Sequence, residues 1–181
     1  MMRSRLASFA LLLSLLGVGL LVASRPTSSR AAPAAEPAAP SLVCALTLPH
    51  AEALFASRFT LSLMLTLSGA EVYSADLTVG FDPTVLSAAS VAAGSAASGF
   101  SVVPNLTVPG EIKVAMAGVN PITASGELLR LTFDSVGTVG AVSPLDLSRG
   151  DLNEPALPCT LEDGSVTIVL PTPTSTPTST F

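Results

Sequence analysis

One histidine, two cysteines and thirteen carboxylates hold most of the chemistry this sequence offers. His50 follows Pro49 in a stretch that reads as a loop, and no serine and aspartate are spaced to complete a nucleophilic triad around it. Two carboxylates flanking a sugar bond are the other route to hydrolysis, but nothing in the spacing of the acids selects a pair. Zinc spacings, a phosphate loop and a D-x-D-x-D-G calcium loop are all missing. Asp82 before Pro83 and Asp163 before Gly164 read as turn formers, and Asn105-Leu106-Thr107 fits a glycosylation sequon. The expectation is a binding protein and not an enzyme, with no catalytic residue, no metal and no cofactor.

The cysteines offer one reaction, oxidation to each other, and the compartment decides whether it happens. Arg3 and Arg5 precede an uncharged run, Leu6–Ala23, and Val22-Ala23-Ser24 places small residues where a signal peptidase cuts. Residues 1–24 therefore read as a signal peptide. The alternative is an uncleaved N-terminal anchor, because eighteen apolar residues is the lower limit for crossing a bilayer. Either reading makes the rest of the chain secreted or cell-surface, hence extracellular. Cys44 follows Leu42-Val43, not small residues, which argues against a lipoprotein. Outside the cytosol Cys44 and Cys159 are expected to pair, near the two ends of the folded segment. In the chain-entropy model such a bond is worth up to roughly 4–5 kcal/mol. Two buried free thiols are the other reading.

The elements that position these residues follow from composition and period. Residues 25–41 are a Pro/Ala-rich spacer, and residues 171–181 are a Pro/Thr-rich linker, either a short stalk or the stretch before a further module. Between them residues 42–170 alternate with period two. Phe59, Leu61, Leu63, Leu65 and Leu67 share one side of Arg58–Ser68, with Thr66 on the other. Tyr73, Ala75, Leu77, Val79 and Phe81 oppose Ser74, Asp76, Thr78 and Gly80. The same pattern places Ile112/Val114/Met116, Leu129/Leu131/Phe133, Leu145/Leu147 and Val166/Ile168/Leu170 inward, Cys44 with Leu46 and Leu48, and Cys159 with Leu157 and Leu161. Turn signals such as Ser68-Gly69, Pro109-Gly110 and Asn120-Pro121 separate the runs, and Thr84–Gly99 reads as a strand followed by a loop. Around nine strands that are apolar on one side must bury that side against a second sheet, which predicts an all-β antiparallel sandwich.

Charge and aromatic content narrow the partner. From Glu36 onward four bases (Arg58, Lys113, Arg130 and Arg149) face all thirteen acids, a net charge of −9. That acidity repels phosphate backbones and anionic lipid, so no nucleic acid is expected, and a membrane only through the anchor. The chain has no tryptophan and one tyrosine, and the alternation turns Tyr73, Phe59, Phe81 and Phe133 inward. No aromatic row is left to stack on sugar rings.

Four runs then resemble the cohesin domain: Ser68–Leu86 (SGAEVYSADLTVGFDPTVL), Gly110–Phe133 (GEIKVAMAGVNPITASGELLRLTF), Ser143–Glu154 (SPLDLSRGDLNE) and Gly164–Ile168 (GSVTI). The resemblance covers nearly all of residues 42–170. It implies a nine-stranded jelly roll, related to cellulose-binding modules, that docks dockerin-bearing proteins. These are typically polysaccharide-degrading enzymes held on a scaffold, with calcium carried by the partner and polysaccharide reached indirectly. One flat sheet face takes the partner in that family. The resemblance places it here on Tyr73–Phe81, Phe100–Asn105, Ile112–Gly118 and a strand near Leu145–Ser148. Asp76 matches an acidic contact position, Ala115 and Ala117 match small or apolar positions, Glu154 matches an acid at the rim, and Ser74 and Thr78 flank Asp76. Ser74 departs from the Asn of many type I members and Gly118 from the acid of some, which bears on partner identity. The competing readings are a direct carbohydrate-binding module and a stalked structural or adhesive domain with no dockerin partner.

Overall fold

The computed structural model describes residues 42–171. The expected signal or anchor, the Pro/Ala spacer and all of the Pro/Thr linker but Pro171 lie outside the described residues. Within them the alternation becomes eleven strands: β1 (Val43–Thr47), β2 (His50–Leu54), β3 (Arg58–Ser68), β4 (Val72–Phe81), β5 (Leu86–Ala93), β6 (Ser101–Asn105), β7 (Glu111–Ile122), β8 (Gly126–Ser135), β9 (Val142–Leu152), β10 (Thr160–Glu162) and β11 (Gly164–Val169). One sheet runs β10-β1-β3-β8-β5 and the other β2-β11-β9-β4-β7-β6. The chain is the all-β jelly-roll sandwich that the sequence predicts, with eleven strands in place of about nine.

The two extra strands come from one device at the seam between the sheets. The N-terminal segment pairs with β3 as β1, then breaks at Leu48-Pro49 and joins the other sheet as β2. The C-terminal segment follows it, with β10 parallel to β1 and β11 parallel to β2. At the crossing the two backbones come so close that a Cβ on residue 164 would collide with the Pro49 carbonyl, and the sequence supplies glycine. Because β11 leaves the ladder there, the Leu147 N–H lacks a strand partner, and the Asp163 carboxylate accepts it at 2.8 Å. Asp163 is thus a ladder substitute, not the turn former expected. His50 likewise opens β2 instead of lying in a loop, with Nδ1 2.9 Å from Ser165 Oγ. Asp82 does form its turn, accepting Thr84 N–H at 2.8 Å and the Thr84 hydroxyl at 2.7 Å.

The core lies between the sheets, where the inward sets meet. Leu61, Leu63, Leu65 and Leu67 of β3 are buried with Leu129, Leu131 and Phe133 of β8. They pack with Leu77, Val79, Ile112, Val114, Leu145, Leu147, Val166 and Ile168 of the facing sheet. Each fully buried side chain of this kind stabilises by roughly 1.5–3 kcal/mol. Phe133, wholly buried, stacks on Phe59 at 5.9 Å and meets the edge of Phe81 at 5.4 Å. Three inward expectations fail. Leu161, in the short edge strand β10, is 38% exposed. Leu170 lies past the end of β11 and is 63% exposed. Tyr73 is 45% exposed, because a register shift between Val72 and Ser74 gives the inward place to Val72.

Candidate docking face

Four strands, β9-β4-β7-β6, lie side by side in the six-stranded sheet, and their pairings fix what stands opposite what on the outward side. One row crosses the sheet as Asp151, Asp76, Ala115 and Val103. The next is Ser74, Ala117 and Ser101, and on the other side come Arg149, Thr78, Lys113 and Asn105. Strand alternation makes this a surface because Ala75, Leu77, Val114 and Met116 between these positions are anchored in the core. The centre is shallow. Ser74, Ser101, Ala115 and Ala117 border a depression of about 220 Å³, with Val103, 64% exposed, at its outer wall.

All six residues singled out in the sequence fall on this face. Ser74, Asp76 and Thr78 lie on β4, Ala115 and Ala117 directly across on β7, and Glu154 in the loop after β9. Ser74, Asp76 and Glu154 meet along a second, larger depression of about 630 Å³, which Arg149, Asp151 and Asn153 complete. Asn153 ties that corner together. Its side chain accepts the Tyr73 N–H at 2.7 Å and donates to Glu71 O at 2.6 Å, tying the end of β9 to the start of β4. The backbone there is left-handed, with φ 65 at Asn153, a conformation that asparagine adopts more readily than most residues.

Arg149 and Asp151 were not selected from the sequence, and the reason is a phase slip. Simple alternation from Leu145 and Leu147 would turn both charges into the core. A bulge between the partners of Val79 and Thr78 inserts one residue, so Arg149 and Asp151 face out while Gly150 and Leu152 face in. Two charges at inward parity are themselves the signal that a strand has slipped phase. The Arg149 Nε donates to Asp151 at 2.7 Å, and its Nη2 lies 3.8 Å from Asp76. The hydrogen bond to Asp151, with a smaller contribution from the Asp76 charge, raises the guanidinium pKa above its ordinary value and keeps it charged. The acid at the centre of the face therefore has a cation of its own beside it, and both side chains are more than half exposed.

Gly118 has a local cause as well. The Phe100 ring packs against it so closely that a Cβ would overlap the ring, and no acid fits there while Phe100 stays in place. Tyr73, now exposed, donates its hydroxyl to Glu71 at 2.8 Å, and one ring at the rim does not make a row for sugar stacking. The cysteine expectation holds: Cys44 and Cys159 are bonded, with Cα atoms 4.5 Å apart. Among the described residues no cluster of three His, Cys, Asp or Glu side chains is arranged to hold a metal.

Several solved structures share this fold. The seventh ScaB type I cohesin from Pseudobacteroides cellulosolvens is similar with a TM-score of 0.62 at 16% identity, over 74% of this chain and 97% of that one. A non-cellulosomal cohesin from the hyperthermophilic archaeon Archaeoglobus fulgidus gives 0.62 at 21% identity, over 70% and 91%. The third ScaC cohesin of Acetivibrio cellulolyticus, in complex with the ScaB dockerin, gives 0.61 at 16% identity, over 70% and 99%. No curated protein matches the chain. The family model described as Cohesin domain matches residues 45–168. That match spans well over half of the sequence, and the chain belongs to the cohesin domain family.

Proposed function

We propose that the chain is an exported, non-catalytic interaction module that binds a dockerin-bearing protein on the outward face of β9, β4, β7 and β6. The observation that carries the reading is the juxtaposition of Asp76 with Ala115 on a flat sheet face, bordered by Ser74 and Ala117. Small side chains leave a shallow floor for a helix that brings its own larger anchors. Asp76 beside that floor accepts hydrogen bonds from hydroxyl or basic groups of the helix and fixes its orientation, and Glu154 does the same at the rim. Thr78 and Ser74 offer neutral hydroxyls on either side of Asp76. Calcium belongs to the partner, and polysaccharide is reached only through what the partner carries. The N-terminal apolar run and the Cys44–Cys159 bond support an extracellular location, secreted or at the cell surface.

The test is capture from the secreted proteins of the source on the immobilised chain, with and without a calcium chelator. The reading expects a protein with paired calcium loops that is retained only with calcium, because such loops fold around their ion. Capture indifferent to chelation, or direct retention of the chain on cellulose, xylan or chitin, would contradict it. Complete absence of a partner would place the stalked structural reading ahead.

A further inference from the structure

The path that tension takes through this domain is set by the disulfide together with the parallel pairing of the terminal strands. β1 runs parallel to β10 from Ala45 opposite Thr160, and β2 runs parallel to β11 as far as Leu54 opposite Val169. The chain therefore enters the sandwich beside Cys159 and leaves it beside Leu54, at the other end of the same pair of strands. Any pull between a point before residue 42 and a point after residue 171 acts along that pair. Cys44 stands at the start of β1, with only Leu42 and Val43 before it among the described residues, and it is bonded to Cys159, just ahead of β10. The covalent load path thus runs from Cys44 across the bond to Cys159 and out along β10 and β11.

We propose that the chain is a force-bearing tether of fixed length, in which the Cys44–Cys159 bond takes the body of the sandwich out of the load path. The loop that the bond closes spans 115 residue steps and contains β1 to β9, including every strand of the docking face. At roughly 3.5 Å per step that loop stores about 400 Å of contour length that end-to-end tension cannot reach while the bond is intact. The segment that remains in the path has little to give, since strands already rise about 3.3 Å per residue. Tension would have to break a covalent bond before it could pull β4, β7 and β9 apart. Cys44 is buried in the core cluster, and Cys159 is partly buried against it. This inference is independent of the docking proposal, because it concerns the chain's two ends and not its partner.

Single-molecule stretching of the full chain tests it, with enzymatic attachment tags inserted after Arg30 and added after Phe181. The oxidised chain should show no unfolding step near the full length. After dithiothreitol, which reduces the bond to two thiols and is itself oxidised to a cyclic disulfide, the same tether should gain about 400 Å. The Cys44→Ser/Cys159→Ser double variant should show the added length without reductant, as a step if it folds and from the start of the trace if it does not. A full-length step in the oxidised chain would overturn the proposal. So would equal tether lengths before and after reduction at every force, because the bond would then not be what limits extension.

Discussion

The two outward faces of the sandwich both carry ion pairs, Arg149 with Asp151 and Lys113 with Glu111 on the six-stranded sheet, but they differ at their centres. On the five-stranded sheet the outward side chains satisfy one another. Arg58 donates from two nitrogens to the Asp134 carboxylate at 2.8 and 2.9 Å. Thr60 and Thr132 share a hydrogen bond at 3.2 Å, and Glu127 takes both Arg130, at 2.9 Å, and the Ser62 hydroxyl. On the candidate docking face Ala115 and Ala117 occupy the places that long polar residues fill on the other side. Among the described residues Asp76, its central acid, has only Arg149 at 3.8 Å. A surface whose polar groups are already paired offers a partner nothing, since each new bond costs an old one. A surface floored with alanine and carrying a loosely held acid gains from being covered.

Two substitutions, the first with a control on the opposite face, break this contrast if it is wrong. Ala115→Arg puts a long charged side chain on the floor and should weaken partner binding by at least about 100-fold, roughly 2.7 kcal/mol. The thermal midpoint should stay at the parent value, because residue 115 is exposed. Thr66→Arg, exposed on β3 in the opposite sheet, introduces the same side chain where no docking is proposed and should leave binding unaltered. Calorimetry with the captured partner reads both. Asp76→Ala should cost less, about 1–3 kcal/mol, the range for removing one partner of a charged hydrogen bond. Parent-like affinity for Ala115→Arg and Asp76→Ala would remove the face from the proposal.

The smallest effect expected concerns acid and belongs to the other face. Glu127 is held below the ordinary carboxylate pKa, first by Arg130 and then by Ser62, and Asp134 is held low by Arg58. A folded pKa below the unfolded one stabilises fully above the unfolded value, near pH 4, and that contribution is lost as pH falls through the lowered folded value. The thermal midpoint should therefore be level through neutral pH and fall below about pH 4. Glu127→Gln with Asp134→Asn should make the acid limb shallower, and modestly so, because these exposed pairs are screened by water. Asp82, held low by Thr84, keeps part of the limb in the double variant. An unchanged limb would mean that the pairs on this face do no more than their exposure suggests.

Alternation alone sufficed for the inward sets of β3 and β8, and for the outward side of β4 from Ser74 on, because parity inside an uninterrupted strand depends only on neighbouring residues. It failed where one residue is inserted. Tyr73 follows Val72 with both apolar, and nothing local says which one turns in; Asn153, 80 residues away in sequence, settles it by holding the Tyr73 N–H. The Arg149 and Asp151 half of the site was lost to the same kind of slip. Sheet switching at Leu48-Pro49 and Asp163 was equally out of reach, because it reflects which backbones meet, and a strand's own pattern does not name its neighbours. The six residues of the candidate face were chosen through the family resemblance. Without it Asp76 is one more polar residue on the wet side of a strand.

The central claim, that one face docks and the other does not, is tested most directly by hydroxyl-radical footprinting of the chain with and without its calcium-loaded partner. Each face carries its own reporter: Val103 and Tyr73, 64% and 45% exposed, lie on and beside the docking face, and Met64, 43% exposed, lies on the opposite one. The account predicts that the partner slows oxidation of Val103 and Tyr73 and leaves Met64 unchanged. Protection of Met64, with Val103 and Tyr73 oxidised as in the free chain, would contradict it.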